Sequence, residues 1–240
     1  MKRRGDRWEI TFSRGTRQFD VRCGFLVLCC GRKSRLPATF AANRQRLDRL
    51  MCLGVRISGY RGEDFPLVES HAHGWAYSSG LQSGELAIYQ FVDPERRAAH
   101  ASARLPSMLL RELANCPRTA ARLLDATATE ASDVSFFATD ASSTVRRPAM
   151  GAGWCLAGDC AQTVDPLSSA GMSYALEHAK LVSGAILKSR SICNPGMSEY
   201  ADYLSKSYTD CLESRSRVYR SEHRWMTDFW YSRRLASRSN

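Results

Sequence analysis

The chain has 240 residues, 44% apolar and 24% charged, the balance of a folded globular protein rather than a disordered tail or a fibre. No apolar run approaches the roughly 18 residues a membrane-spanning helix needs, and the opening MKRRGDRWEITF lacks the apolar stretch of a secretory signal, so the sequence predicts a cytoplasmic protein with no membrane segment. The net charge of +10 lies at the amino end, where residues 1–61 hold 15 Lys or Arg against 4 Asp or Glu; scattered through strand-like segments without a winged-helix, zinc-finger or base-stacking motif, these charges suit a solvated face or an acidic partner and argue against nucleic acid.

Trp8, Ile10 and Phe12 alternate with polar residues, Arg14-Gly15-Thr16 supplies a turn, and Phe19, Val21 and Cys23 resume the alternation, which predicts a hairpin. Phe25 to Leu28 is apolar on both faces, as in a covered α/β strand, and ends at a glycine turn with Ser34 placed to cap a short helix over about 35–42. Segments 49–58, 66–71, 74–80 and 85–91 read as an antiparallel sheet of about four strands. Helical stretches follow over 93–114, with Pro106 inside, and 117–124; short strands are expected at 134–138 and 143–147, a last strand at 154–157, and helices at 169–189 and, with a break, 196–235. The order suggests two lobes that share the chain.

Nine cysteines, an odd number without an export signal, point to reduced thiols, and Cys29 and Cys30 read as small buried hydrophobes. Cys155 with Cys160, and His71 with His73, supply only two potential ligands at each place, so no metal site is expected.

The most informative stretch is WCLAGDCAQTVDPLSSAGMSYALEHAKLVSGAI, residues 154–186. A buried strand delivers Gly158 and Asp159 to its carboxyl edge, where ligands bind in α/β sheets. A stiff Asp165-Pro166 step then leads to a helix whose small first-turn residues leave backbone N–H groups open at a positive helix terminus, suited to an electron-rich or anionic ring edge. Met172, Ala175, Leu176, Ala179, Val182 and Ile186 recur at helical spacing and are expected to pack that helix on the sheet.

The pattern GD-x(5)-DPLSS-x-G, followed by a small-residue helix, resembles the second flavin-binding motif of the single-component FAD monooxygenase superfamily. Its DPLSS form is closest to two branches: flavin-dependent tryptophan halogenases, and flavoprotein maturases that help make tryptophylquinone cofactors. FLVLCCGRKSRL, HGWAYSSGLQSGELAIYQFVD and HRWMTDFWYSRR are similar, in the same order, to further parts of that family.

The resemblance implies an α/β (α+β) fold: an incomplete FAD-binding Rossmann-like lobe, an antiparallel β-sheet substrate lobe and carboxyl-terminal helices. Its parts would be 1–48, a partial FAD-binding lobe; 49–147, the substrate sheet with helical insert; 148–190, the GD strand and helix; and 191–240, the terminal helical region. It further implies that Gly158 lets FAD approach, that Asp159 hydrogen-bonds its ribityl or ribose chain, that Pro166 lies beside the isoalloxazine, and that the backbone at Ser169, Ala170, Gly171 and Met172 faces the pyrimidine edge. Trp75 and Tyr77 would line a substrate pocket, although ordinary aromatic core is an equal reading of both.

The family's opening Gly-x-Gly-x-x-Gly turn is absent, so the chain is expected to start inside the nucleotide-binding lobe, as a fragment, the product of a mispredicted gene start, or a protein that needs a partner. The halogenases' Trp-x-Trp-x-Ile-Pro signature is absent too, which places oxygenation ahead of halogenation. The implied function is an FAD-dependent oxidoreductase of the monooxygenase type. It would act on a small aromatic or peptide substrate, of tryptophan or indole type, through reduced flavin and oxygen. A reduced nicotinamide or a flavin reductase would be the electron donor, and no general acid or base is assigned. The alternative is a truncated, inactive flavoprotein that binds a protein or peptide; a third reading, nucleic-acid binding by residues 1–61, predicts steeply salt-dependent DNA affinity.

Overall fold

The computed structural model of the protein describes residues 1–98, 105–127, 133–189 and 196–235. Strands β1 (Lys2–Arg4), β2 (Arg7–Arg14), β3 (Arg17–Cys23) and β4 (Leu26–Leu28) are followed by a 3-10 turn at Leu36–Phe40 and by β5 (Asn43–Arg46). Next come β6 (Met51–Ser58), β7 (Leu67–His71), β8 (Gly74–Gly80), β9 (Glu85–Val92), α1 (Pro94–Ala98), α2 (Leu105–Leu113), α3 (Pro117–Thr127) and β10 (Val134–Asp140). The chain closes with β11 (Thr144–Arg147), β12 (Met150–Gly151), β13 (Trp154–Leu156), β14 (Gln162–Thr163), α4 (Gly171–Lys188), α5 (Ser198–Ser221) and α6 (Asp228–Leu235). These form two compact units, Met1–Leu47 with Ser143–Leu212, and Asp48–Ser142 with Glu213–Asn240. The mixed architecture is the expected one, an α/β unit carrying the GD turn and a unit built on an antiparallel sheet; the segment 191–240 contributes to both.

The first unit holds three small sheets, in orders β1-β2-β3, β14-β11-β5 and β12-β13-β4. β13 and β4 run parallel with Trp154 opposite Leu26 and Leu156 opposite Leu28. Its core gathers Trp8, Leu28, Trp154, Cys155, Leu156 and Tyr200. Phe40 bridges the Trp8 and Trp154 rings at centroid distances of 5.3 and 4.9 Å, and Trp8 Nε1 donates to Gly153 O at 2.7 Å. Tyr200 Oη donates to Leu156 O at 2.7 Å, tying α5 to the strand that carries the GD turn.

Three expectations change here. The helix expected over 35–42 is a 3-10 turn, with Leu36 N donating to Ser34 Oγ at 3.2 Å. β5 is an added strand whose sequence, NRQR, has no apolar alternation and which forms by pairing with β11. Cys29 and Cys30 are exposed rather than buried, because β4 ends at Leu28 and the chain turns outward there.

The second unit is a five-stranded antiparallel sheet in the order β10-β6-β9-β8-β7, one strand more than expected because β10 pairs with β6 along its seven residues. One face, with Leu53, Val55, Ile57, Leu86 and Ile88, packs on Met108, Leu109 and Leu113 of α2. By strand alternation the opposite face carries Trp75, Tyr77, Tyr89, Phe91 and Phe137. The break expected within 196–235 falls between α5 and α6. In α6, Trp230 Nε1 donates to His71 O at 2.8 Å, while the Arg233 guanidinium lies over the Phe229 ring and donates to Asp93 at 2.7 Å. Pro106 sits in the first turn of α2, where a missing N–H costs no helix bond; residues 99–104 of the expected 93–114 helix lie outside the described residues.

No helix among the described residues is long and apolar enough to cross a membrane. Among the same residues no group of three His, Cys, Asp or Glu is placed to hold a metal ion.

Candidate functional site

The site grows from the carboxyl end of β13. Ala157 is extended, Gly158 takes φ +60°, and Gly158–Cys160 forms a single 3-10 turn. A Cβ at Gly158 would meet only Ala175 Cβ at 3.8 Å, an ordinary contact, so glycine is needed there for its left-handed backbone and not for room. The turn is held from within α4: Gly158 N donates to His178 Nδ1 at 2.9 Å. His178 is fully buried, its ring set edge-on against Tyr200 and Tyr203, and burial lowers its pKa to about 4, against a smaller opposing pull from Asp159. The imidazole is therefore neutral at pH 7 and its Nδ1 is an acceptor. Asp159 lies at the rim, where Arg32 Nε donates to Oδ2 at 3.2 Å.

The second half of the motif is a tight corner. Asp165, 1% exposed, accepts Leu167 N on Oδ1 at 3.0 Å, and its carbonyl takes the Ser168 hydroxyl at 2.8 Å, shaping the 3-10 turn that Pro166 opens. Ser169 then adopts φ +52°, a left-handed conformation uncommon for a residue with a side chain. Such strained positions cluster at functional sites. α4 begins at Gly171 with no side-chain cap, so its first-turn amides point out of the helix uncapped by any described side chain.

Of the four backbone positions expected to face a ring edge, two are used by the corner itself. Ser169 N donates to Pro166 O at 3.0 Å and Ala170 N to Ser168 Oγ at 3.3 Å, because the left-handed Ser169 folds those amides back into the turn. Gly171 and Met172 remain at the uncapped end.

The apolar face expected to pack α4 on the sheet is largely uncovered. Met172 is 82% and Leu176 72% exposed; of the expected face only Val182 and Ile186 join the core, with His178 buried beside them. The reason is the narrowness of the sheet: β4 is an edge strand of only three residues in a three-stranded sheet. Between β4 and α4 lies a groove of about 530 Å³ with largely apolar walls, Val27, Ala175, Ala179, Val182 and Ile186 among them, also lined by Gly158 and Asp159.

In the second unit Trp75 is 2% exposed, its ring stacked on Phe91 at 3.9 Å and its Nε1 donating to Tyr219 Oη at 3.2 Å. Its aromatic surface is thus used by that unit's own packing. Tyr77 is half-buried and stacks on Tyr89, which tilts against Phe137, at centroid distances of 6.0 and 5.8 Å. Sequence reasoning did not single out Tyr89, Phe137, Arg32 or His178. The one signal for His178 was a polar residue on the inward stripe with Val182, four residues on.

This is the fold of flavin-dependent halogenases and of a tryptophan dihydroxylase. The chain superposes on CmlS, a flavin-dependent halogenase, with a TM-score of 0.74 at 18% identity over 95% of its length, and on the myxobacterial chondrochloren halogenase CndH with 0.72 at 18% over 95%. On QhpG, a peptidyl tryptophan dihydroxylase essential for tryptophylquinone cofactor biogenesis, the TM-score is 0.64 at 23% identity over 90%. In sequence it is 24% identical, over 95% of its length, to LodB of Marinomonas mediterranea, assigned by inference as an FAD-dependent oxidoreductase. It spans 61% of LodB and 43%, 57% and 49% of the three structures, about half the length of the relatives it matches. No family model matches the chain.

Proposed function

We propose that the chain is part of a flavoprotein oxidoreductase of the FAD monooxygenase type, and that residues 158–172 hold the ribityl and isoalloxazine parts of FAD. One observation carries the reading: Gly171 opens α4 with no conformational need for glycine, and a Cβ there would meet nothing within 4 Å. What its bareness leaves open is close approach to the uncapped amides of the helix. The donor set fits the cofactor: a carboxylate for ribityl hydroxyls, open amides for the electron-rich pyrimidine edge, and an apolar groove for ring carbon.

Bound FAD would supply electron transfer to oxygen. The chain's own residues would do the positioning. Asp159, steadied by Arg32, would accept hydrogen bonds from the ribityl hydroxyls. The Asp165–Ser168 turn, held by those two hydrogen bonds, would present Pro166 to the ring. The amino end of α4, with about half a positive charge, favours negative charge on the ring edge.

The substrate we infer is aromatic, of the tryptophan or indole type, small or within a peptide; the likeness to a peptidyl tryptophan dihydroxylase and the row of Tyr77, Tyr89 and Phe137 support it. Electrons would come from a reduced nicotinamide or a flavin reductase. The odd count of nine cysteines in the sequence supports a reducing, cytoplasmic setting.

The test is to incubate the purified chain with FAD, desalt it and record the flavin absorbance. Retained bands that are lost in Asp159→Asn support the reading. No retained flavin, or equal retention by the variant, would overturn it.

A further inference from the structure

Beneath the candidate site two sulfurs meet. Cys30 Sγ and Cys160 Sγ lie 3.2 Å apart although 130 positions separate them in sequence. The contact follows from strand pairing: β4 and β13 run parallel, Ala157 N donates to Leu28 O at 3.0 Å, and both chains leave the sheet side by side into the turns that carry the two cysteines. Cys30 is exposed and Cys160 is fully buried. Cys29, also exposed, lines the groove with Gly158 and Asp159.

We propose that Cys30 and Cys160 are a redox-active dithiol that closes into a reversible disulfide, with hydrogen peroxide as oxidant. Cys30, the accessible member, attacks first: its thiolate sulfur bonds one peroxide oxygen, the O–O bond breaks, and the departing hydroxide takes up a proton to leave as water. The Cys160 thiol, pushed up to about 12 by burial and its contact with Cys30, stays protonated until this step. It then gives up its proton and attacks the Cys30 sulfur; the S–S bond forms, the S–O bond breaks, and a second water leaves. Two thiols lose two electrons and one peroxide becomes two waters. A small dithiol returns both thiols by exchange.

The bridge would tie the turn of Gly31 and Arg32 to the turn of Gly158 and Asp159, and close a loop that contains residues 48–142. Its formation does not depend on flavin, so it stands or falls apart from the function proposed above.

The full chain is treated with hydrogen peroxide, alkylated under denaturing conditions, digested and analysed by mass spectrometry. A Cys30–Cys160 linked peptide, lighter by two hydrogens than the summed thiol peptides and abolished by dithiothreitol, is the expected result. Cys29→Ser should keep the link and Cys30→Ser should lose it; fragment ions of the wild-type peptide distinguish Cys29 from Cys30 without either variant. Alkylation of both Cys30 and Cys160 after peroxide, a link made through Cys29, or oxidation of Cys30 to a sulfinic acid with no link would each overturn the proposal.

Discussion

The amide of Gly158 donates to Nδ1 of His178 at 2.9 Å, so the turn that presents Asp159 is held by a histidine twenty residues further along the chain. The bond joins the end of β13 to the second turn of α4, the two elements that form the candidate site. His178→Leu removes the acceptor and leaves the Gly158 N–H without a partner in a partly buried position, which costs about 1–3 kcal/mol. Urea denaturation should show that loss, and His178→Asn, which keeps an acceptor, should recover part of it. Equal stability of wild type and His178→Leu would contradict the role.

Acid should destabilise the fold through two buried histidines. His178 and His71 are both lowered from 6.5 to about 4, in each case first by burial; His73 and Arg96 lower His71 further, whereas Asp159 raises His178. Between pH 6.5 and 4 the unfolded chain binds protons that the folded chain refuses, so stability falls as pH drops through that window and is level above it. The thermal midpoint should decline from pH 6.5 downward, less steeply in His178→Asn. A midpoint flat from pH 6.5 to 4.5 would refute this.

The sheet of the second unit depends on a glycine. A Cβ at Gly54 would lie 2.1 Å from Cζ of Phe137, which sits directly across from it on β10. Gly54→Ala must displace that ring, which is tilted against Tyr89, at a cost of about 1–3 kcal/mol. The double variant Gly54→Ala/Phe137→Ala should be more stable than the sum of the single losses predicts, which a double-mutant cycle measures. Strict additivity would mean that the ring is not what excludes the methyl.

Asp159→Asn separates a ligand role from a structural one. Arg32 and Asp159 are 23% and 41% exposed at the side chain, and pairs so open to water are worth about 0–1 kcal/mol. The variant should therefore unfold within about 1 kcal/mol of wild type while losing flavin retention. A large loss of stability would show that the carboxylate serves the fold.

How much could be read in advance varied with the kind of signal. The hairpin of β2 and β3, the strands β7 to β9 and the GD strand announce themselves by apolar alternation or by a buried run closed with glycine, and each lies within a residue or two of its expected place. β5 could not be read, since Asn43 to Arg46 carries no apolar period and exists only through its partner β11. The apolar stripe of α4 misled for a related reason: periodicity says which residues share a face, not whether anything covers it, and here Met172 and Leu176 stay in the open. At the site, Gly158, Asp159 and Gly171 were visible as a spaced motif. Arg32 and His178 were not, because they reach Asp159 and Gly158 by tertiary contacts that no local spacing encodes. The exposure of Cys30 and its contact with Cys160 were hidden in the same way.

Whether the amino end of α4 receives the flavin ring is decided at Gly171. FAD is titrated with the wild-type chain and with Gly171→Ala while flavin fluorescence is followed. Because a Cβ there meets nothing within 4 Å, the variant should fold as well as wild type or better, by up to about 1 kcal/mol. The wild type should quench saturably, and the variant should bind about tenfold more weakly, roughly 1.4 kcal/mol. No quenching by the wild type, or equal affinity in an equally folded variant, would contradict that placement of the ring.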